Sequence, residues 1–343
     1  MKNILIVGLG SIGQRHYRNL KKIDKKFNFF AIRKKFRSPK LDKKNQVIDS
    51  KLNCKDLKIS LINENQIHQK NIDLAFITNP TSLHVKTANY LVKKNCSIFI
   101  EKPLSDSMKG VTILNKMIIN RKINCEIGFQ TRYDPLLNEL KKIIDSKKFG
   151  KIVNVNINHN SYLPYHHKYE NYKKGYAARK ELGGGVLLCF SHELDYALFL
   201  FGRPKKIFPN FIINGSALKI NVETAVGFSL EFNKNINVNF SLDFLRKKQK
   251  RVCEIQFEKT NITWDLNKKK IFKDGLVYKK TPNLTRDNLF KIMLSKVLHN
   301  FQKQKNSKNT FENAMKNLIL ILKIKESLKK KKIINLKKLF NKS

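Results

Sequence analysis

Gly8-Leu9-Gly10-Ser11-Ile12-Gly13 stands directly after an apolar run, Ile4-Leu5-Ile6-Val7, and directly before a helix-like stretch, Gln14 to Lys22. A glycine loop between strand and helix can do one kind of chemistry well. Its backbone N–H groups and the helix dipole receive the phosphates of a dinucleotide. Gly8 permits the tight turn, Gly10 lets the backbone approach a pyrophosphate, and Gly13 lets the helix pack on the strand. Ser11 and Ile12 supply the N–H groups between them. Such a loop alone is a weak signal, but the flanking strand and helix are the context that the mechanism demands.

The residue about twenty positions beyond the last glycine meets the ribose in such folds. Here it is Arg33, at the end of the run Phe29 to Ile32, with Lys34 and Lys35 behind it. No acid is placed to accept a 2′-hydroxyl, and a guanidinium suits a 2′-phosphate, so NADP is preferred as cofactor and NAD is the alternative. Two further clusters follow apolar runs: Thr78-Asn79-Pro80-Thr81 leading to His84, and Glu101-Lys102-Pro103. Both fall where parallel strands end, the edge at which open α/β sheets bind ligands. Farther on, Gly183-Gly184-Gly185 precede a helical stretch in which His192 and Asp195 lie one turn apart on a shared face.

Taken together, the glycine loop, the Asn79-Pro80 turn, Glu101-Lys102-Pro103, Gly183-Gly184-Gly185 and Ser191-His192-Glu193-Leu194-Asp195 resemble the Gfo/Idh/MocA oxidoreductases over nearly the whole chain. The resemblance implies that Lys102 lies beside nicotinamide and substrate, and that His192 is an acid/base group. Physical chemistry agrees. Hydride transfer from a carbinol carbon needs a base for the hydroxyl proton, and a desolvated lysine can fall several units from about 10.4. The chain departs from the family pattern at one place. A carboxylate is expected three or four residues before the histidine, and those positions hold Cys189 and Leu188. Asp195 or Glu193 could compensate in part.

Between Tyr162 and Arg179 the chain carries His166, His167, Tyr169, Glu170, Tyr172 and Tyr176. Aromatic faces and polar tips of this kind can line a sugar or polyol pocket; a packed loop over a sheet is the alternative. Tyr162, His167 and Asp195 are candidate substrate contacts. Arg132 and Arg179 are candidates for an acidic group on the substrate.

The elements that must position these residues follow from periodicity. Residues 3 to about 125 alternate short apolar runs with helical stretches, the signature of βαβ units and a doubly wound parallel sheet. After about residue 128 the rhythm becomes one of alternating strands, Lys151 to Asn158, Val222 to Phe232, Ile236 to Phe244 and Val252 to Phe257, closed by two amphipathic helices. The expected fold is α/β: a Rossmann domain over 1–127, and an α+β domain over 128–343 with an open, mostly antiparallel sheet. One face of that sheet suits homo-oligomerisation, as dimer or tetramer, as the resemblance implies.

Composition bounds the rest. Lys plus Arg is 70 and Asp plus Glu is 26, a net charge of +44. Of the 70, 59 are Lys and only 11 are Arg, spread along the whole chain. Nucleic-acid surfaces favour Arg, so this reads as compositional drift and no specific nucleic-acid partner is expected. A basic nucleic-acid-binding module remains one rival reading, and a cofactor-binding protein without dehydrogenase activity another. Five cysteines without CxxC spacing read as reduced thiols in the cytoplasm. Cys189 and His192 are only two ligands, so no metal is expected. No stretch approaches the roughly 18 to 20 apolar residues of a membrane span, and Ile4 to Leu9 is too short for a secretory signal.

Overall fold

The computed structural model describes residues 3–33, 38–303 and 310–336; Lys34 and Lys35 lie outside the described residues. The chain divides into two units, residues 1–130 with 286–315, and residues 131–285 with 316–343. The first unit therefore takes in a late segment that a single cut at 127/128 leaves out. A part-buried contact on the glycine-loop helix ties that segment in. Arg15 pairs with Asp287 and lies over the ring of Phe290, 5.6 Å from its centroid.

The first unit is a six-stranded parallel sheet in the order β5-β2-β1-β6-β7-β8. Its strands are β1 (Asn3–Val7), β2 (Asn28–Ile32), β5 (Ile59–Leu61), β6 (Leu74–Ile77), β7 (Ser97–Ile100) and β8 (Cys125–Ile127), with a small hairpin, β3 (Lys40–Leu41) and β4 (Val47–Asp49), beside them. The continuous apolar runs of β1 and β6 are buried throughout their centres, as strands covered on both faces must be. Helix α1 (Ser11–Ile23) follows β1, α2 (His84–Lys93) follows β6, and α3 (Val111–Asn120) follows β7. Strand order reverses about β1, flanked by β2 and β6, so the loops after β1 and β6 open at the switch point where such sheets hold ligands.

The second unit is a nine-stranded sheet in the order β16-β15-β14-β13-β9-β12-β11-β10-β17. The strands are β9 (Ile152–Asn160), β10 (Lys206–Asn214), β11 (Glu223–Glu231), β12 (Asn237–Asp243), β13 (Lys250–Phe257), β14 (Asn261–Asp265), β15 (Lys270–Lys273), β16 (Leu276–Lys280) and β17 (Ile334–Asn335). Only β9 and β12 run parallel; every other pairing is antiparallel. Period-2 patterning decides the faces. Val155, Ile157 and His159 of β9 and Val238, Phe240 and Leu242 of β12 are buried. The opposite face carries a ladder of amides, Asn239 donating to Asn154 Oδ1 at 2.9 Å and to Asn156 Oδ1 at 3.1 Å. The helices α4 (Pro135–Ser146), α5 (Val186–Cys189) and α6 (Ser191–Phe201) belong to this unit. Two longer helices, Arg286–Lys303 and Phe311–Lys330, follow the sheet strands in sequence. No single described helix is long and apolar enough to cross a membrane.

Candidate active site

In the first unit the glycine loop closes on the end of β6. Gly8 has φ +97° and donates its N–H to Ile32 O at 2.9 Å; a Cβ there would lie 2.9 Å from Asn79 N. A Cβ on Gly13 would collide with Gly8 O. At Gly10 a Cβ would meet no protein atom within 4 Å, so the chain's own packing does not demand glycine there. The first turn of α1 has neither a side-chain cap nor an acid. An uncapped helix N-terminus behind a glycine that nothing in the protein requires fits the pyrophosphate of a dinucleotide.

Some expected cofactor contacts are absorbed by the loops themselves. Thr78 is buried and its Oγ1 donates to Gly8 O at 2.6 Å. His84 is buried with Nδ1 2.9 Å from Pro103 O and Nε2 2.9 Å from Asn79 O, bridging the ends of β6 and β7. Burial pushes its pKa down, against both carbonyls. Asn79 Nδ2 donates to Thr87 Oγ1 at 2.8 Å. Glu101 is turned inward: Oε1 lies 2.6 Å from His16 Nε2 and Oε2 accepts the Lys102 N–H at 3.1 Å. The side chains of Thr78, His84 and Glu101, expected at the cofactor, each have an internal hydrogen-bond partner.

Lys102 itself is half-buried at the end of β7. Arg33 stands at the end of β2, its Nη1 3.2 Å from Leu52 O and 3.4 Å from Cys54 Sγ. It lines a cavity of about 610 Å³ with Ala31, Leu61, Asn63 and Glu64. Glu64 thus lines the same cavity as Arg33, which the sequence did not reveal because Glu64 arrives from beyond β5.

In the second unit Arg132 and Asp195 are joined to each other. Nε donates to Oδ2 at 2.6 Å and Nη2 to Oδ1 at 2.9 Å, with both side chains buried. Both were candidates for substrate contact, and Asp195 for relief of the missing carboxylate; here they form a buried bidentate pair. Arg179, a candidate for an acidic group on the substrate, pairs with Glu181 at the surface, Nε to Oε1 at 2.6 Å. In the loop between, Tyr162 meets Tyr165 edge-on at 4.9 Å and His167 Nδ1 lies 3.1 Å from Tyr169 OH.

His192 is buried at the head of α6. The carboxylate beside it in sequence, Glu193, is fully buried, with Arg251 Nε at 2.7 Å and His159 Nδ1 at 3.0 Å. Burial alone raises its pKa, but Arg251, His159 and the charge of His192 outweigh that and hold it well below the usual carboxylate range. The His159 ring stacks on Phe190 at 3.7 Å. His16, His159 and Arg251 were not singled out from the sequence. The usable signals were slight: His16 falls three residues after Gly13, and Arg251 is one of only 11 arginines.

Comparison with known proteins agrees with this geometry. Residues 2–129 match the model of the oxidoreductase family with NAD-binding Rossmann fold, and residues 137–263 match the GFO/IDH/MocA C-terminal domain. The chain belongs to the GFO/IDH/MocA family. Among curated relatives of this GFO/IDH/MocA protein is a scyllo-inositol 2-dehydrogenase (NAD(+)) of Bacillus subtilis, 28% identical over 38% of this chain and 36% of the relative. A scyllo-inositol 2-dehydrogenase (NADP(+)) of the same organism is 24% identical over 46% and 42%. The matched region thus spans well under two thirds of these relatives. Among solved structures, myo-inositol 2-dehydrogenase of Lactobacillus plantarum superposes with TM-score 0.76 at 19% identity, covering 97% of this chain and 99% of that one. Aldose-aldose oxidoreductase of Caulobacter crescentus gives 0.77 at 15%, covering 98% and 99%. At these identities the likeness attests the fold.

Proposed function

We propose that this GFO/IDH/MocA protein transfers a hydride between NADP or NAD and the carbinol or carbonyl carbon of a sugar, polyol or sugar-nucleotide substrate. The observation that carries the reading is the presence, at the carboxyl ends of β1 and β7 on either side of β6 in one sheet, of an uncapped glycine-loop helix and of Lys102. The first unit, expected as the cofactor domain, binds the dinucleotide through Gly8 to Gly13, with Arg33 at the ribose. When bound, the nicotinamide supplies the hydride acceptor or donor. In the oxidative direction Lys102 Nζ, as the neutral amine, takes the hydroxyl proton while the C–H electron pair departs and the C=O bond forms. His192 stands as the acid/base group of the substrate unit, and Tyr162 and His167 remain candidates for substrate hydroxyls. Inositol-type polyols head the substrate candidates because the curated relatives are named for them.

The test is a screen of scyllo- and myo-inositol, other polyols, aldoses and nucleotide sugars, following absorbance of the reduced cofactor with NAD and NADP in parallel. Turnover of at least one of these supports the reading. Absence of both turnover and cofactor binding overturns it. Tight cofactor binding without turnover favours a second reading, a binding or regulatory member of the family. One observation supports that alternative: a buried thiol, Cys189, and Leu188 occupy the positions where a carboxylate is expected. The reading also includes a cytoplasmic homo-oligomer built on the amide-lined sheet face, checked by light scattering in solution.

A further inference from the structure

Glu101 and His16 form a buried pair in the first unit. We propose that it is a positioning device, holding the backbone of Lys102 in register with the helix of the glycine loop; this rests on Lys102 being the proton-handling group.

Four observations converge. His16 lies on α1, one turn beyond Gly13, and is wholly enclosed by Phe76, Phe99 and Phe290, with ring centroids 5.3, 5.2 and 5.6 Å away. Packing among three phenyl rings asks only for an aromatic side chain and does not by itself call for a polar one. The imidazole therefore answers a directional demand, and its Nε2 meets Glu101 Oε1 at 2.6 Å. The second carboxylate oxygen accepts the Lys102 N–H at 3.1 Å, so both oxygens have assigned partners and the carboxyl plane is set. Gly128, at the end of β8, abuts that carboxyl: a Cβ there would lie 3.1 Å from Oε1, Oε2 and Cδ alike. From the other side His84 holds Pro103 O at 2.9 Å. Lys102 is thus pinned on both flanks, and one pin runs to the helix whose N-terminus is the pyrophosphate site. A shift of α1 is transmitted through His16 and Glu101 to the backbone of Lys102.

The experiment uses the full chain with His16→Phe, Glu101→Ala, Glu101→Gln and Lys102→Ala. Hydrogen–deuterium exchange at the Lys102 amide, which needs no substrate, reads the pin directly. Affinity for the reduced cofactor by fluorescence and kcat on the substrate from the screen complete it. The expected result is Lys102 amide exchange faster by about tenfold or more in His16→Phe and Glu101→Ala. Alongside it kcat falls on the order of 10- to 100-fold, the scale of a misplaced reacting group, while cofactor affinity stays within about threefold. Glu101→Gln keeps an oxygen for the N–H and recovers most of the exchange protection. If His16→Phe does not fold, the Ala and Gln variants at 101 decide. Wild-type exchange and kcat in these variants overturn the proposal, as does a kcat loss matched by lost cofactor affinity and exchange spread over all of α1. Full turnover in Lys102→Ala sinks the proton role of Lys102 instead, whereas an inactive Lys102→Ala beside normal 16 and 101 variants sinks the pin alone.

Discussion

Arg132 grips Asp195 through two parallel donors, Nε to Oδ2 at 2.6 Å and Nη2 to Oδ1 at 2.9 Å, and a third contact runs from Nη2 to the Asp195 carbonyl at 3.0 Å. The guanidinium also lies 4.7 Å from the centroid of Phe199. This pair anchors α6 to the segment before α4. Removing one partner strands the other charge in the interior, so Arg132→Ala and Asp195→Ala each cost about 3–5 kcal/mol of stability. The measurement is denaturant unfolding. A stable Arg132→Ala variant with a raised substrate KM contradicts this and supports Arg132 as a substrate contact.

Gly10 and Gly13 separate folding from binding. Gly10→Ala adds a methyl that no protein atom opposes, whereas Gly13→Ala drives one into Gly8 O. Gly10→Ala therefore keeps the unfolding midpoint and weakens cofactor binding by about tenfold or more, which is about 1.4 kcal/mol. Gly13→Ala loses both. Calorimetric titration and thermal unfolding on the two variants check this, and unchanged cofactor affinity in Gly10→Ala removes the pyrophosphate from this loop.

Glu193 predicts a pH dependence of stability. Its carboxyl is held well below the usual range in the fold, whereas the unfolded chain has a carboxyl near 4.3. Its contribution is present above about pH 4.3 and is lost as pH falls towards the depressed folded value. The stability difference between wild type and Glu193→Gln therefore shrinks as pH falls below about 4.3, seen by urea unfolding from pH 7 to 3. A difference that grows on acidification contradicts the ionised, Arg251-bound carboxylate.

His84 gives a second pH signature at higher pH. Burial lowers its folded pKa beneath the ordinary value of about 6.5, so the unfolded chain binds the proton more readily. Its contribution is full above about pH 6.5 and declines as pH falls through the folded pKa. His84→Asn removes that part of the slope, and an unchanged slope between pH 7 and 5 excludes it.

Arg33 bears on cofactor choice. Arg33 and Glu64 line the same cavity, so an acidic residue stands beside the cation expected at the ribose. Arg33→Ser raises the KM for NADP by about tenfold, the loss of one charge-assisted contact, and leaves that for NAD near wild type. A strong wild-type preference for NAD overturns the NADP assignment.

The Rossmann half was legible because its information is local. An apolar run, a glycine loop and an amphipathic helix within some twenty residues specify a βαβ start, and strand ends mark where Lys102 and Asn79 must fall. The mostly antiparallel second sheet was legible from period-2 patterning for the same reason. The late helix Arg286–Lys303 was legible as a helix, but its place in the first unit depends on Arg15 meeting Asp287, 272 residues apart.

By itself the sequence determined the two-part fold, the dinucleotide loop, the lysine at a strand end and the family resemblance, all of them written in short-range periodicity and spacing. The tertiary structure alone decided which buried polar and charged groups meet. Arg132 was given to Asp195 across 63 residues, Arg251 to Glu193 across 58, and His16 to Glu101 across 85. The physical reason is that an ion in the interior must have a partner, and which partner it meets is set by the packing of distant elements, on which the spacing of residues along the chain is silent.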